Sequence, residues 1–309
     1  MTSHSRAAAF RALHHGPAIL VVPNAWDAVS ARLFEMAGFD CVGTTSAGIA
    51  WSLGYPDGQK IPRDEMLAAV ERIASATNLP VTADIEAGYG VSPASVAETV
   101  RLAIDAGAVG VNIEDATGDG GDSPLFEISL QCERIAAARE AADAGAGLRD
   151  GAVVNARTDV FWLAVGHEET RLERCLERLD AFRAAGADCV FVPRVQSPDV
   201  IRDIVKHAGL PLNLLASATG RDVRALEKLG VARVSVGSGI ARAAAAAVQR
   251  AARALSRGSF AEFLTDAVGY AEMDSLFTEA LSRQCVVNDV EPGEESLDDG
   301  PDDGVVLAP

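Results

Sequence analysis

Val81-Thr82-Ala83-Asp84-Ile85-Glu86-Ala87-Gly88-Tyr89-Gly90 opens as an apolar strand, delivers two carboxylates and then breaks into glycines. Asp84 and Glu86 are two apart, so on an extended backbone both side chains project to the same face. Val109-Gly110-Val111-Asn112-Ile113-Glu114-Asp115 repeats the design. Neighbouring strands that each end in acid gather negative charge, which is costly unless a cation sits among it. Hard oxygen donors flanked by loops point to Mg²⁺ or Mn²⁺.

Outward from these two strands the same unit recurs. Residues 6–15 read as a helix, and Ala18 to Ala25 as a buried first strand. Further strands are expected at 41–46, 81–86, 110–115, 152–159, 189–194, 212–216 and 233–237. Helices are expected at 27–37, 63–77, 93–106, 129–143, 168–185, 198–207 and 221–229, with a long Ala-rich helix to about residue 256. Near-continuous apolar strands alternating with helices mean a parallel sheet covered on both faces. Eight strand–helix units favour an α/β fold closed as a (β/α)₈ TIM-type barrel. Two more helices, 259–268 and 270–282, are expected beyond the barrel, where such helices cap it or dock on another subunit. The barrel domain is thus placed at 1–285. Residues 286–309 hold eight acids and no Lys or Arg, which reads as a disordered acidic tail.

The bulk numbers exclude several classes. A net charge of −17 argues against nucleic acid or an anionic membrane as partner. No apolar run is long enough for a transmembrane helix, and the polar start is unlike a signal peptide. Five cysteines without paired spacing suit a reduced cytoplasm and make a zinc site improbable.

Barrel active sites form at the carboxyl ends of the strands. There the chain places Asn24, Ser46, Ala47, Asp84, Glu86, Glu114, Asn155, Arg157, Asp159, Arg194, Asn213 and Ser235, with Asp57 in the loop after the second strand. One sector is acidic and another cationic, the pattern of a metal-bound anionic substrate; Arg157 can fork onto a carboxylate. Each residue has a plainer reading. Asp84 or Glu86 can cap a helix or pair with an arginine. Asp57, in Tyr-Pro-Asp-Gly, can be a turn residue, and Arg157 can pair with Asp159. Arg194 and Asn213 divide between substrate contact and barrel packing, while Asn24 reads as structural. Gly118, Gly120 and Gly121 read as a mobile lid.

Thr45-Ser46-Ala47-Gly48, Gly54-Tyr55-Pro56-Asp57, Asp84-Ile85-Glu86-Ala87-Gly88-Tyr89-Gly90, Asn112-Ile113-Glu114-Asp115 and Asn155-Ala156-Arg157-Thr158-Asp159 together resemble the isocitrate lyase/phosphoenolpyruvate mutase superfamily over roughly residues 10–255. The resemblance implies Mg²⁺ and a small 2-oxo or 2-hydroxy carboxylate, with C–C or P–C bonds broken or made through a pyruvate enolate. It implies Asp84 as the direct metal ligand, with Glu86, Glu114 and Asp57 acting through waters. It further implies backbone groups of Ser46 and Ala47 on the substrate carboxylate, and Arg157 on the oxo group or departing anion. Catalytic duty thereby falls to Asp57, Arg157 and Glu114. The chain departs from the family in the loop after the fourth strand. Ala116-Thr117-Gly118-Asp119-Gly120-Gly121-Asp122-Ser123-Pro124 lacks the Lys-Lys/Arg-Cys-Gly-His lid of the isocitrate lyases and the asparagine of the mutases. That argues against isocitrate and 2-methylisocitrate cleavage. Pro193-Arg194 stands where the lyases tend to carry an acid, so Arg194 is expected to meet a second anionic group.

The leading expectation is a Mg²⁺-dependent lyase acting on a 2-oxo or 2-hydroxy (di)carboxylate by decarboxylation or C–C cleavage. Phosphoenolpyruvate/phosphonopyruvate mutase or phosphonopyruvate hydrolase chemistry is the second, and a barrel that binds a metabolite without turning it over is the third. By the same resemblance a homodimer or homotetramer, with exchanged terminal helices, is expected.

Overall fold

The computed structural model describes residues 3–118, 123–145, 151–217 and 222–278. The acidic segment 286–309, Cys285, and Gly120 and Gly121 of the expected lid lie outside them. Nine parallel strands form one sheet: β1 (Leu20–Val22), β2 (Asn24–Ala25), β3 (Val42–Thr44), β4 (Val81–Asp84), β5 (Gly110–Glu114), β6 (Val153–Arg157), β7 (Cys189–Phe191), β8 (Leu212–Leu215) and β9 (Arg233–Ser235). The expected eight become nine because Pro23 interrupts the first. Proline has no N–H to give to a ladder, and each half keeps one neighbour. Leu20 of β1 pairs with Arg233 of β9, and Asn24 of β2 with Gly43 of β3. The sheet therefore closes on itself through a broken strand, as a TIM-type barrel.

Helices α1 (Ser3–Leu13), α2 (Ala28–Met36), α4 (Arg63–Ala76), α5 (Pro93–Asp105), α6 (Ile128–Ala144), α7 (Glu168–Ala184), α8 (Pro198–Ala208), α9 (Val223–Glu227) and α10 (Gly239–Ser256) surround the strands, with α3 (Ser46–Ser52) inserted after β3. Their starts follow from local chemistry. Asp27 accepts the N–H of Ser30 and Ser92 that of Ser95, each satisfying a donor the first turn leaves open. Pro93 and Pro198 sit in the first turns of α5 and α8, where a missing N–H costs nothing. The turns after α5 and α7 need a left-handed residue and have Gly107 (φ 96°) and Gly186 (φ 98°).

Helix α1 packs against strand residues at the amino ends. Phe10 is fully buried, and a Cβ on Gly110 would lie 2.8 Å from its ring. His14 Nδ1 lies 2.8 Å from the Phe10 carbonyl, so it is the donor, and Nε2 accepts from buried Arg233 at 3.3 Å. Burial and Arg233 push the His14 pKa down to about 3.

The chain divides into two compact units, Met1–Ala267 and Val268–Pro309. Of the helix expected at 259–268 only a turn forms, α11 (Ala261–Leu264). In the second unit residues 270–278 are helical. Among the described residues no helix is long and apolar enough to cross a membrane.

Candidate active site

The carboxyl ends of the strands open on a cavity of about 240 Å³. The main turn on its wall departs from the expected extended backbone. β4 ends at Asp84, and Glu86 has φ 51°, so its carboxyl reaches the cavity through a left-handed turn rather than through strand alternation. Fully buried Arg134 holds that turn. Its guanidinium donates to the carbonyls of Gly90 at 2.6 Å, Val91 at 2.7 Å and Ala87, and lies 4.1 Å over the Phe126 ring. Burial lowers its pKa to about 10.

Asp84 accepts from Ser46 Oγ at 2.9 Å, and its own N–H donates to Thr44 Oγ1 at 2.8 Å. Ser46, expected to end the second strand, opens α3 together with Ala47; the N-cap Thr45 accepts the N–H of Gly48 at 3.3 Å. Glu86 accepts the backbone N–H of Gln59 at 2.6 Å, and Gln59 Oε1 accepts that of Tyr89 at 2.7 Å. These two bonds pin the loop that carries Asp57 to the β4 turn. Asp57 lines the cavity from that loop.

On the next strands, Arg157 lies between two acids. It forks onto Asp159 and reaches Glu114 Oε2 with Nη1 at 2.8 Å. Asp159 is itself positioned by fully buried Asp115, which accepts the Asp159 N–H at 2.8 Å, Thr158 Oγ1 at 2.7 Å and Arg178 at 3.1 Å. Asp115 thus belongs to the scaffold. Asn24, though at the cavity, is tied to the barrel closure: its Oδ1 accepts the N–H groups of Val236 and Gly237, and Nδ2 donates to the Thr44 carbonyl.

Electrostatics set the character of the site. Asp57, Asp84, Glu86, Glu114 and Asp159 line one cavity with a single guanidinium, Arg157, among the described residues. Burial, then the charges of Asp84 and Asp57, push Glu86 up to about 8. Burial and Asp84 raise Asp57, and burial raises Glu114 despite Arg157. Burial would lower the Arg157 pKa, but Glu114 and Asp159 outweigh it and keep the guanidinium charged.

Two expected substrate residues stand elsewhere. Arg194, at φ 73°, is exposed and donates to the Trp162 carbonyl at 3.2 Å; it does not line the cavity. Asn213 is fully buried within the barrel, with Ser235 Oγ 3.4 Å from its Oδ1. The wall expected to be cationic is instead apolar, formed by Trp162, Leu163, Phe191, Pro193 and Leu215. Sequence reading missed it because these residues end strands or start loops, where alternation gives out. Beyond the acids, the loop after β5 folds back on itself: Ala116 bridges Leu125, and the Thr117 N–H donates to the Pro124 carbonyl at 2.9 Å.

A family model for phosphoenolpyruvate phosphomutase matches residues 10–256. An uncharacterized protein of Mycobacterium tuberculosis is 36% identical over 276 residues, which are 89% of this chain and 98% of that one. The 2-methylisocitrate lyase of Escherichia coli is 32% identical over 215 residues, 69% of this chain and 70% of that one. The crystal structure of a candidate lyase/mutase from Burkholderia cenocepacia superposes with a TM-score of 0.82 at 42% identity, covering 89% of this chain and 96% of that one. Phosphonopyruvate hydrolase in complex with oxalate and Mg²⁺ superposes at 0.78 with 26% identity, covering 94% and 100%.

Proposed function

The chain belongs to the phosphoenolpyruvate phosphomutase family, within the isocitrate lyase/phosphoenolpyruvate mutase superfamily, and on that premise we propose that it is a Mg²⁺-dependent lyase acting on a small 2-oxo or 2-hydroxy (di)carboxylate. One observation carries the reading: five carboxylates share a small cavity with one arginine, and burial and mutual repulsion raise the pKa of four of them. An all-oxygen donor set of that charge fits a hard divalent cation. Among the described residues no three His, Cys, Asp or Glu side chains gather tightly enough to ligate one ion directly. As the family resemblance implies, Asp84 would be the direct ligand, with Glu86, Glu114 and Asp57 holding the ion through waters, the habit of Mg²⁺. When bound, the cation supplies Lewis-acid charge beside the oxo group of the substrate.

The protein's own residues do the rest. Backbone N–H groups of Ser46 and Ala47, in the first turn of a helix, lack intrahelical acceptors; that of Ser46 makes only a long bond, 3.4 Å, to Asp84 Oδ2, and both would turn to the substrate carboxylate. Arg157, pre-set by Asp159, stabilises the oxygen on which charge develops. P–C chemistry would need further cations around a phosphonyl group. Among the described cavity residues only Arg157 is cationic, and it is already shared by two acids. A purely structural barrel would have no reason to gather five carboxylates at one rim.

We assign the protein a reducing, cytoplasmic setting, from its free thiols Cys41, Cys132, Cys175 and Cys189, and a homo-oligomeric state, from the exposed apolar residues Val248, Leu255, Phe260 and Leu264. Light scattering of the purified protein checks the latter. The activity is tested with Mg²⁺ and a panel of oxaloacetate, 2-methylisocitrate, 2,3-dimethylmalate and phosphonopyruvate, read by pyruvate release. Turnover of a carbon acid that EDTA abolishes supports the lyase. Turnover untouched by EDTA removes the cation from the mechanism.

A further inference from the structure

Four side chains form a row of contacts from the cavity to the surface: Phe191, Arg157, Trp162 and Arg194. The Arg157 guanidinium lies 5.6 Å from the centre of the Phe191 ring and 5.7 Å from that of Trp162. Arg194 lies 5.6 Å from the same Trp162 ring, and its Nη1 donates to the Trp162 carbonyl at 3.2 Å. All three distances are within the reach of a cation–π attraction. Phe191, Arg157 and Trp162 line the cavity, whereas Arg194 stays outside it and exposed. Trp162 stands in a tight turn after β6. The Leu163 N–H donates to the Asp159 carbonyl at 2.8 Å and the Val165 N–H to that of Val160 at 2.9 Å, with Ala164 left-handed at φ 54°. The turn thus begins at the residue whose carboxylate forks onto Arg157, and its Trp162 ring comes back to the same guanidinium.

Arg194 reaches Trp162 from a costly conformation. A long side chain at φ 73° is disfavoured, where glycine would be at ease. A hydrogen bond and a ring contact at the surface contribute little stability in return. Backbone strain of this kind gathers where function imposes it. Resting on the lyase reading above, we propose that Arg194 is a positioning residue, a latch that ties the Trp162 turn to the end of β7 and so keeps Arg157 aimed at the reacting oxygen. Glu114 and Asp159 take up the N–H groups of Arg157. The rings of Trp162 and Phe191 restrain the guanidinium through contacts that carry no directional bond. Without the latch, the turn that carries both Asp159 and Trp162 is free to drift, and a small misplacement of a catalytic group is enough to slow the chemistry. Arg194 touches no reacting atom in this role; it acts through Trp162.

The test sets Arg194→Gly and Arg194→Lys against the wild type, each as the full-length Mg²⁺-loaded protein. Glycine takes the left-handed backbone without strain but ends the latch. Its melting temperature should stay within about 2 °C of the wild type, since relief of strain offsets the lost contacts. Its kcat, on whichever acid of the panel the wild type turns over fastest, should fall about fivefold or more with KM unchanged within about twofold. That split marks a group needed in the transition state rather than for binding. Lysine keeps a charge and a donor, and should restore kcat to within about twofold of the wild type. The emission belonging to Trp162, taken as the difference from Trp162→Phe, should move to longer wavelength in the glycine variant and be quenched more readily by acrylamide. Full kcat in the glycine variant, a lysine variant as slow as the glycine one, or an unchanged Trp162 emission overturns the proposal while leaving the lyase reading intact. So does a melting temperature that falls along with the activity, which would make Arg194 merely structural. A wild type that turns over no acid of the panel removes the lyase reading and the positioning role with it.

Discussion

Asp159 holds Arg157 by two parallel hydrogen bonds, Nε to Oδ1 at 2.6 Å and Nη2 to Oδ2 at 2.9 Å, with the carboxyl itself 2% exposed. Such a fork fixes the plane of the guanidinium as well as its position. Asp159→Asn keeps the shape and removes the charge. We expect kcat/KM to fall about 10²-fold, the scale of a small misplacement of a catalytic group. Stability should fall by only part of the about 3–5 kcal/mol that breaking a buried pair costs, because Glu114 still pairs with Arg157. Arg157→Lys keeps the charge but cannot fork, and should lose activity comparably. Full activity in either variant would show that the fork has no catalytic purpose.

Asn24 bridges the break at Pro23, accepting from Val236 at 2.9 Å and Gly237 at 2.8 Å while donating to Thr44 at 2.8 Å. Asn24→Ala would leave these buried and half-buried groups without their partner, at up to about 1–3 kcal/mol for each left unpaired. Chemical denaturation should register the loss as a lower midpoint at unchanged slope. An unchanged midpoint would mean that water replaces the side chain without cost.

Much of this architecture is legible in the sequence, for reasons visible in particular residues. Apolar runs closed by Gly107 or Gly186 mark strand–helix units, and the barrel follows from their number. The acids Asp84, Glu86, Glu114 and Asp57 are found because strand ends in such a barrel face one mouth. The misses share a cause: tertiary contacts override local pattern. Ser46–Ser52 forms a helix that is buried from Ser46 through Ala50, so it shows no polar face and no helical period. Glu86 takes φ 51° because Arg134, 48 positions on, holds the turn around it. Nothing at Pro193-Arg194 tells that φ 73° will swing the arginine away from the cavity. Leu215 and Phe191 read as ordinary strand residues until closure puts them opposite the acids.

His14 supplies a pH signature distant from the chemistry. Its imidazole is held neutral, with a pKa of about 3 in place of 6.5. Between those values the unfolded chain binds a proton that the folded chain does not. Folding stability contributed by this group is therefore complete above pH 6.5 and is lost as pH falls toward 3, by about 1.4 kcal/mol per unit. His14→Gln has no such group. The difference in melting temperature between the two proteins should accordingly shift in favour of the variant on acidification from pH 7 to pH 4.5. A constant difference across that range would mean that His14 titrates normally in the fold.

Glu86 yields the most direct check on the cation. In the metal-free protein its carboxyl, pushed up to about 8, is largely protonated at pH 7. A cation among these acids favours the ionised form, so loading must expel the proton. Titrating Mg²⁺ at pH 7 in buffers of different ionisation enthalpy should report release approaching about one proton per ion. That release should fade as pH rises beyond 8, where the group is already ionised, while Mg²⁺ affinity rises through the same range. Glu86→Gln removes the titrating group without changing its size, and should bind the ion more weakly with little proton release. If the wild-type protein takes up Mg²⁺ with no buffer dependence, the ion is not bound at this cluster.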